Sequence, residues 1–136
     1  MGDTFTKAER SRIMSLVRSK DTKPELVVRR LAHSLGFRYR LHRADLPGTP
    51  DLVFPSQRKV ILVSGCFWHG HSCGRCRLPG TRRDYWVAKI ERNRTRDRCT
   101  NAALRRAGWR VLVVWECHTK NRDRLTKRIA GFLRAE

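Results

Sequence analysis

The chain has 136 residues, a length typical of one domain with one hydrophobic core. Its 31 lysines and arginines outnumber its 12 aspartates and glutamates, and the net charge of +19 favours nucleic acid or an anionic membrane surface as a partner. Since no apolar run approaches the roughly 20 residues of a membrane span and no signal-peptide core is present, the five cysteines indicate metal ligands or thiols rather than a disulfide framework.

The first part of the chain predicts two helices. Residues 7–18 mix apolar side chains such as Met14 with basic ones, which is typical of a short basic amphipathic helix. A second helix is predicted to begin at Thr22, a candidate N-cap, with Glu25 in its first turn and Gly36 as its stop. Its predicted buried stripe consists of Leu26, Val27, Leu31 and Leu35.

Short apolar runs then predict strands. Residues 37–42 alternate apolar and polar side chains, as a half-exposed strand does, and residues 46–50 indicate a turn. Residues 52–54 and 60–63 are short apolar runs joined by a few polar residues, which predicts a hairpin. An irregular segment rich in cysteine, histidine and glycine follows at 65–80.

The second half predicts a helix, a strand and a last helix. Residues 81–107 form a strongly charged helical pattern that Gly108 closes, residues 109–115 are the clearest buried strand, and residues 123–133 are amphipathic. The predicted apolar contacts of the long helix are Tyr85, Trp86, Ile90 and Leu104. The element order predicts a single α/β domain over residues 1–136, with a mixed sheet covered on both faces.

Cysteine and histidine residues after the predicted hairpin indicate a zinc site. Cys66, His71 and Cys73 lie close together in sequence, and Cys117 follows the last strand, so two neighbouring strand ends would bring the four together. Three thiolates and one imidazole are a common ligand set for structural zinc. Cys76 makes a second chelating spacing with Cys73, which leaves the choice of ligands open. Loop thiols without a metal are the alternative, disfavoured because so long a loop has little core to hold it.

Asp51 and His69 are the candidate catalytic residues. Asp51 opens a strand, where its carboxylate suits Mg²⁺, although a turn aspartate is the simpler interpretation. His69 lies among the predicted zinc ligands and is either another ligand or a general base, since an imidazole titrates near neutral pH. Asp97 would orient that base, or form a solvated salt bridge. The simpler role of Glu25 is a favourable charge at a helix N-terminus.

Two adjacent aromatic residues, Phe67 and Trp68, are unusual in a loop. In one interpretation they form a small core that supports the zinc loop. In the other they are a wedge that unstacks a base step and recovers the cost through stacking. Met14, on the basic first helix, would then approach the DNA from another side.

Taken together, these segments resemble one family, the very short patch repair endonucleases. The resemblance covers residues 18–25, 45–53, 65–71, 91–97 and 108–117. It implies a restriction-endonuclease-like fold with a zinc-stabilised loop, and a Mg²⁺-dependent enzyme that nicks DNA 5′ to the thymine of a T·G mismatch left by deamination of 5-methylcytosine. The implied partners are mismatched double-stranded DNA, a cytosine-5 DNA methyltransferase and repair proteins. The implied setting is the nucleoid in a bacterial cytoplasm, and a monomer is expected because a single mismatch lacks two-fold symmetry.

Position by position, the resemblance also implies roles. Asp51 would bind the catalytic Mg²⁺ with the main-chain carbonyl of Val63, and His69 would be the general base, supported by Asp97 and Glu25. The implied zinc ligands are Cys66, His71, Cys73 and Cys117, with Cys76 as a substitute. The implied DNA-intercalating residues are Phe67, Trp68 and Trp86, together with Met14 on a DNA-clamping helix in residues 1–20.

Two positions depart from the family pattern. Ser64 stands where the family commonly has a histidine near the reaction centre, which predicts a slower reaction or a different water network; Cys76 is an extra thiol in the zinc loop. Two other classes of function are also compatible with these residues. One is a zinc-stabilised DNA-binding module with weak or no nuclease activity, in which Asp51 is only a turn residue. The other is a basic RNA-binding protein, favoured by charge alone.

Overall fold

The structure, a computed structural model, describes residues 22–66 and 82–135. Its helices are α1 (Lys23–Ser34), α2 (Arg83–Arg106) and α3 (Arg122–Arg134), and its strands are β1 (Arg40–Leu41), β2 (Leu52–Phe54), β3 (Lys59–Ser64) and β4 (Arg110–Trp115). Short 3₁₀ turns follow β2 and β4, at Pro55–Gln57 and Glu116–Lys120. This order confirms the predicted α/β class, while the helix predicted at 7–18 and most of the loop predicted at 65–80 lie outside the described residues.

One mixed sheet of four strands, in the order β1-β2-β3-β4, organises the described residues. The first two pairings are antiparallel, so β2 and β3 form the predicted hairpin, with Leu52 opposite Ile61. Strands β3 and β4 are parallel and run in register up to Ser64 opposite Trp115. Helix α2 is the crossover between them, which leaves the carboxyl ends of β3 and β4 side by side.

Apolar side chains cover both faces of this sheet. On one face, alternate strand residues pack with residues from α1 and α3 in the larger core cluster. The intervening residues, such as Val53 and Val60, face the other side and pack with Leu104 of α2 and with Trp109. Because both faces of the sheet are buried, its central strands are continuous apolar runs in the sequence rather than alternating ones. The prediction that the sheet is covered on both faces is confirmed.

The helix ends follow the local signals in the sequence. The hydroxyl of Thr22 accepts a hydrogen bond from the backbone N–H of Glu25 at 3.4 Å, as predicted for an N-cap. Gly36 and Gly108 follow α1 and α2 with φ of +87° and +91°, a conformation that glycine adopts without steric cost. No helix within the described ranges is long and apolar enough to cross a membrane.

Several predicted details differ from the structure. The fully buried apolar residues of α1 are Val28 and Ala32, whereas the predicted stripe of leucines and Val27 is only partly buried beside them. The reason is that α1 is oriented with the carboxylate of Glu25 towards the interior. Only Arg40–Leu41 of the predicted 37–42 strand pairs with β2. Tyr85 is 37% exposed rather than an apolar contact of α2. Only Val114 of β4 is fully buried, so that strand was predicted to be more buried than it is.

Lys59 is an unusual core residue because its ammonium group is buried under α3. Its Nζ donates hydrogen bonds to the carbonyl oxygens of Leu133, at 3.2 Å, and of Ala135. Carbonyls at the end of a helix lack intrahelical donors and carry partial negative charge. Lys59 therefore fastens the C-terminus of α3 to the first residue of β3.

Candidate active site

Three side chains from separate elements meet at the edge of the sheet. Glu25 comes from the first turn of α1, His42 follows β1, and Asp51 precedes β2; a ligand-type atom of each lies within 4.8 Å of the others. The Nε2 atom of His42 contacts Oε1 of Glu25 and lies 4.0 Å from Oδ1 of Asp51. We call this group the Glu25–His42–Asp51 cluster.

The hairpin fixes the carboxylate of Asp51. Because Leu52 pairs with Ile61, the preceding residue lies beside the end of β3, where Oδ2 of Asp51 accepts a hydrogen bond from the N–H of Val63 at 2.7 Å. The backbone carbonyl of Asp51 also accepts a hydrogen bond from the N–H of His42 at 3.3 Å. With Oδ2 oriented by the backbone, Oδ1 is the oxygen directed to the cluster.

Glu25 is placed by the start of α1. The N-cap bond from its N–H to Thr22 sets the first turn, and the side chain is only 2% exposed. A buried carboxylate needs a charged or hydrogen-bonding partner. The guanidinium of Arg29, one turn later, supplies it through a bond of 2.8 Å to Oε1.

The surroundings of Asp51 oppose its ionisation. Burial raises the pKa of Asp51 to about 6, with the nearby charge of Glu25 adding to the rise, although the hydrogen bond from Val63 and the positive groups of His42 and Arg29 oppose it. Two carboxylates in so small a space repel each other. A divalent cation among their oxygens would relieve that repulsion, and two carboxylates with an imidazole are a suitable donor set for one.

His42 is the member of this cluster that sequence reasoning missed. In the predicted 37–42 strand, alternation placed His42 on the polar, outward side. The backbone leaves the extended conformation at His42, with φ of +48°, so alternation no longer predicts where its side chain points. A positive φ is uncommon for a residue with a side chain, although histidine adopts it more often than most.

Two of the predicted zinc ligands lie together beyond the parallel strands. Ser64 and Trp115, the last residues of β3 and β4, pair with each other, and Cys66 and Cys117 each lie two residues further along the chain. The N–H of Cys117 donates a hydrogen bond to Sγ of Cys66 at 3.4 Å. Cys66 is buried and Cys117 half-buried. The other proposed ligands, His71, Cys73 and Cys76, lie outside the described residues.

The remaining predicted site residues are dispersed or not described. Asp97 is half-buried on α2 and is not a member of the Glu25–His42–Asp51 cluster. Trp86, predicted to intercalate, is 8% exposed, with its ring edge-to-face against Tyr85 at a centroid distance of 5.1 Å. Ser64 ends β3 and is half-buried. Outside the described residues lie Met14, Phe67, Trp68 and His69.

Helix α2 presents a basic surface. All of its arginines are exposed, whereas its acidic residues are few; the arginines are Arg83, Arg92, Arg94, Arg96, Arg98, Arg105 and Arg106. Exposed guanidinium groups suit the phosphates of a nucleic acid, which arginine contacts through paired hydrogen bonds.

Comparison with known proteins identifies a matching family and several relatives of this chain. Residues 2–75 match the family described as DNA mismatch endonuclease Vsr. Type II nicking enzyme V.XorIIP of Xanthomonas oryzae is 53% identical over 133 residues, which cover 98% of each chain. Type II nicking enzyme V.NmeAIP of Neisseria meningitidis is 40% identical over 98% of this chain and 96% of its own. DNA mismatch endonuclease Vsr of Escherichia coli is 42% identical over 93% of this chain and 81% of its own.

Proposed function

This chain belongs to the Vsr family of DNA mismatch endonucleases and is a DNA endonuclease, and we propose that it nicks one strand of a duplex, with Mg²⁺, 5′ to the thymine of a T·G mismatch. The observation that carries the proposal is the Glu25–His42–Asp51 cluster, which gathers two carboxylates around one point within the family-matched residues. We propose residues 1–136 to be one endonuclease domain.

Asp51 is the proposed Mg²⁺ ligand. Its Oδ2 is oriented by the N–H of Val63, and its Oδ1 faces the cluster, so the carboxylate has one oxygen available to a hard cation. The main-chain carbonyl of Val63 is the proposed second ligand. When bound there, Mg²⁺ would stabilise the charge that develops on the scissile phosphate. Glu25 supports the site by its position beside Asp51, and Arg29 orients that buried carboxylate through its contact with Oε1.

His69 is the proposed general base. Its imidazole would take a proton from the attacking water at a ring nitrogen, and Asp97 would hold the imidazolium that results. Both assignments rest on the positions that the family pattern gives these residues. Ser64, where the family commonly has histidine, leaves one imidazole fewer near the scissile phosphate, and the expected consequence is a slower hydrolytic step with unchanged binding.

The zinc site is proposed as a structural centre. Cys66 and Cys117 lie side by side, with the N–H of Cys117 donating to Sγ of Cys66, and His71 and Cys73 are the proposed remaining ligands, with Cys76 as a substitute. Such a centre would hold the loop that carries the proposed DNA wedge. The proposed intercalating residues are Phe67, Trp68, Trp86 and Met14, the last on a DNA-clamping helix in residues 1–20.

The proposed substrate is double-stranded DNA, bound by a monomer. A formal net charge of +19 and the exposed arginines of α2 supply the electrostatic attraction, so binding is expected to weaken steeply with salt as condensed counterions are released. A T·G pair left by deamination of 5-methylcytosine links the proposed activity to a cytosine-5 DNA methyltransferase and to the repair proteins that act on the nick.

A DNA-binding module without nuclease activity is not favoured. The relatives are named as endonucleases and nicking enzymes, and such a module would have no need for two carboxylates at one point. An RNA-binding accessory role rests on charge alone, without any contact in the described residues that distinguishes RNA from DNA.

A nicking assay tests the proposed function. The protein is incubated with Mg²⁺ and end-labelled duplexes that contain one T·G pair or a T·A pair at the same position, and with an RNA hairpin. We expect one cut, 5′ to the mismatched thymine, which Asp51→Asn abolishes and Asp45→Asn, at an exposed carboxylate, retains. Tight binding of the T·G duplex by the unaltered protein without cleavage would overturn the enzymatic proposal, and cleavage of the T·A duplex at an equal rate would overturn the mismatch specificity.

A further inference from the structure

His42 belongs to the Glu25–His42–Asp51 cluster but has no role in the proposed reaction. Its Nε2 touches Glu25 and is 4.0 Å from Oδ1 of Asp51. Glu25 already has a charged partner in Arg29, at 2.8 Å. The imidazole is therefore not required to neutralise that carboxylate, so charge neutralisation of Glu25 does not explain its position.

We propose that His42 is a metal ligand, and that its nitrogen makes the catalytic site bind Mn²⁺ more tightly than Mg²⁺. The inference rests on the proposed metal site at Asp51 and extends it by naming a further ligand and the metal preference that follows. The coordinating atoms would be Nε2 of His42 and one carboxylate oxygen from each of Glu25 and Asp51.

The distances suit one ion. Ligand atoms about 2.1 Å from an octahedral ion lie roughly 3 Å apart when adjacent and roughly 4.2 Å apart when opposite. The three ligand-type atoms of the cluster lie within 4.8 Å of one another, so small side-chain adjustments bring them around one ion. On binding, Nε2 of His42 exchanges its contact with Glu25 for the ion, while Arg29 keeps its own contact with Glu25.

The backbone favours the same assignment. His42 sits at φ of +48°, a costly conformation for a residue with a side chain. Its N–H is held by the carbonyl of Asp51, so the two ligands are fixed to each other through the main chain. Unfavourable backbone conformations that persist in a fold concentrate at functional sites. The arrangement keeps the imidazole within reach of both carboxylates.

A nitrogen ligand changes which metal the site prefers. Mg²⁺ is a hard ion that favours oxygen ligands and gives up its waters reluctantly, whereas first-row transition ions also accept imidazole. Among these, Mn²⁺ is the best probe, because it has little affinity for thiolates and so avoids the proposed zinc ligands. It is also paramagnetic, which makes its ligands directly detectable.

Two measurements on the full chain test the inference. Calorimetric titration of the protein, without DNA, gives the affinities for Mn²⁺ and Mg²⁺ before and after His42→Gln. Pulsed electron paramagnetic resonance of bound Mn²⁺ detects nitrogen coordination through its hyperfine modulation. We expect the variant to lose about tenfold or more in Mn²⁺ affinity, with a smaller loss for Mg²⁺, and to lose the nitrogen signal. His33→Gln is the matched control, because this exposed histidine in the last turn of α1 lies outside the cluster, and it should retain both.

Three other results would overturn the inference or the proposed metal site. If His42 only positions Glu25, both affinities fall by the same factor, about 10–100-fold being typical of groups around a ligand, and the inference is overturned. Bound Mn²⁺ without nitrogen modulation in the unaltered protein overturns it as well, and that measurement needs no variant to fold. Failure of Asp51→Asn to reduce binding of either metal would instead refute the proposed metal site itself.

Discussion

Replacing Asp51 by asparagine should stabilise the metal-free protein while abolishing its activity. The carboxylate is half-buried beside Glu25, and desolvation raises its pKa to about 6 from an ordinary value of 3.8. Asparagine has the same shape, does not ionise, and its side-chain oxygen can still accept the hydrogen bond from Val63. The substitution therefore removes an unfavourable buried charge without leaving a cavity.

The size of the effect follows from the raised pKa. A group whose pKa is higher in the folded state stabilises the fold fully below its unfolded pKa and loses that contribution as pH rises through the folded value. The difference between about 6 and 3.8, at about 1.36 kcal/mol per pH unit, gives a loss of about 3 kcal/mol above pH 7. The Asp51→Asn protein avoids this loss. Its free energy of unfolding should therefore exceed that of the unaltered protein by about 3 kcal/mol at pH 8, by about half of that at pH 5, and by little at pH 4.

Urea denaturation in buffer freed of divalent cations measures the effect. The free energies of unfolding of the two proteins are compared at pH 8, 5 and 4, so that titrating groups remote from residue 51 cancel. Asp45→Asn is the matched control, because Asp45 is exposed and the hydrogen bond from Arg43 lowers its pKa, so no stabilisation is expected. An Asp51→Asn protein that is no more stable at pH 8, or whose advantage is the same at pH 4, would refute the reasoning.

Three other predictions concern separate parts of the molecule. Cys117→Ser should lower the zinc content and the thermal midpoint far more than Cys99→Ser, whose thiol is exposed on α2; equal, small effects measured by metal analysis and calorimetry would exclude Cys117 as a ligand. Lys59→Met should destabilise the fold by about 1–3 kcal/mol in urea titrations, because the buried carbonyl of Leu133 near the end of α3 loses its donor, and an unchanged midpoint would contradict that role. Ser64→His should raise the single-turnover nicking rate with little change in DNA affinity, whereas no gain would show that the serine belongs to a different arrangement of the site.

Local sequence signals predicted the elements of this fold well, since they report on interactions between near neighbours. The capping hydroxyl of Thr22 and the glycine after each of two helices set helix ends to within about two residues, as such signals commonly do. Apolar runs located the hairpin and β4. The side of α1 that is buried was less predictable, because burial depends on what the helix packs against, and the interior there accommodates a carboxylate, that of Glu25.

The sequence by itself determined the element order and the basic character, and it predicted roles for Asp51 and for Cys66 with Cys117, because those inferences need only composition, spacing and family pattern. Only the tertiary structure decided that Glu25, Asp51 and His42 meet at one point. The family pattern assigned Glu25 and Asp51 to one catalytic site, but no signal in the sequence placed His42 beside them, since that contact depends on the packing of α1 against the sheet and on a left-handed residue that ends the alternation of β1. Distances between side chains on different elements are set by that packing, and the raised pKa of Asp51 follows from it.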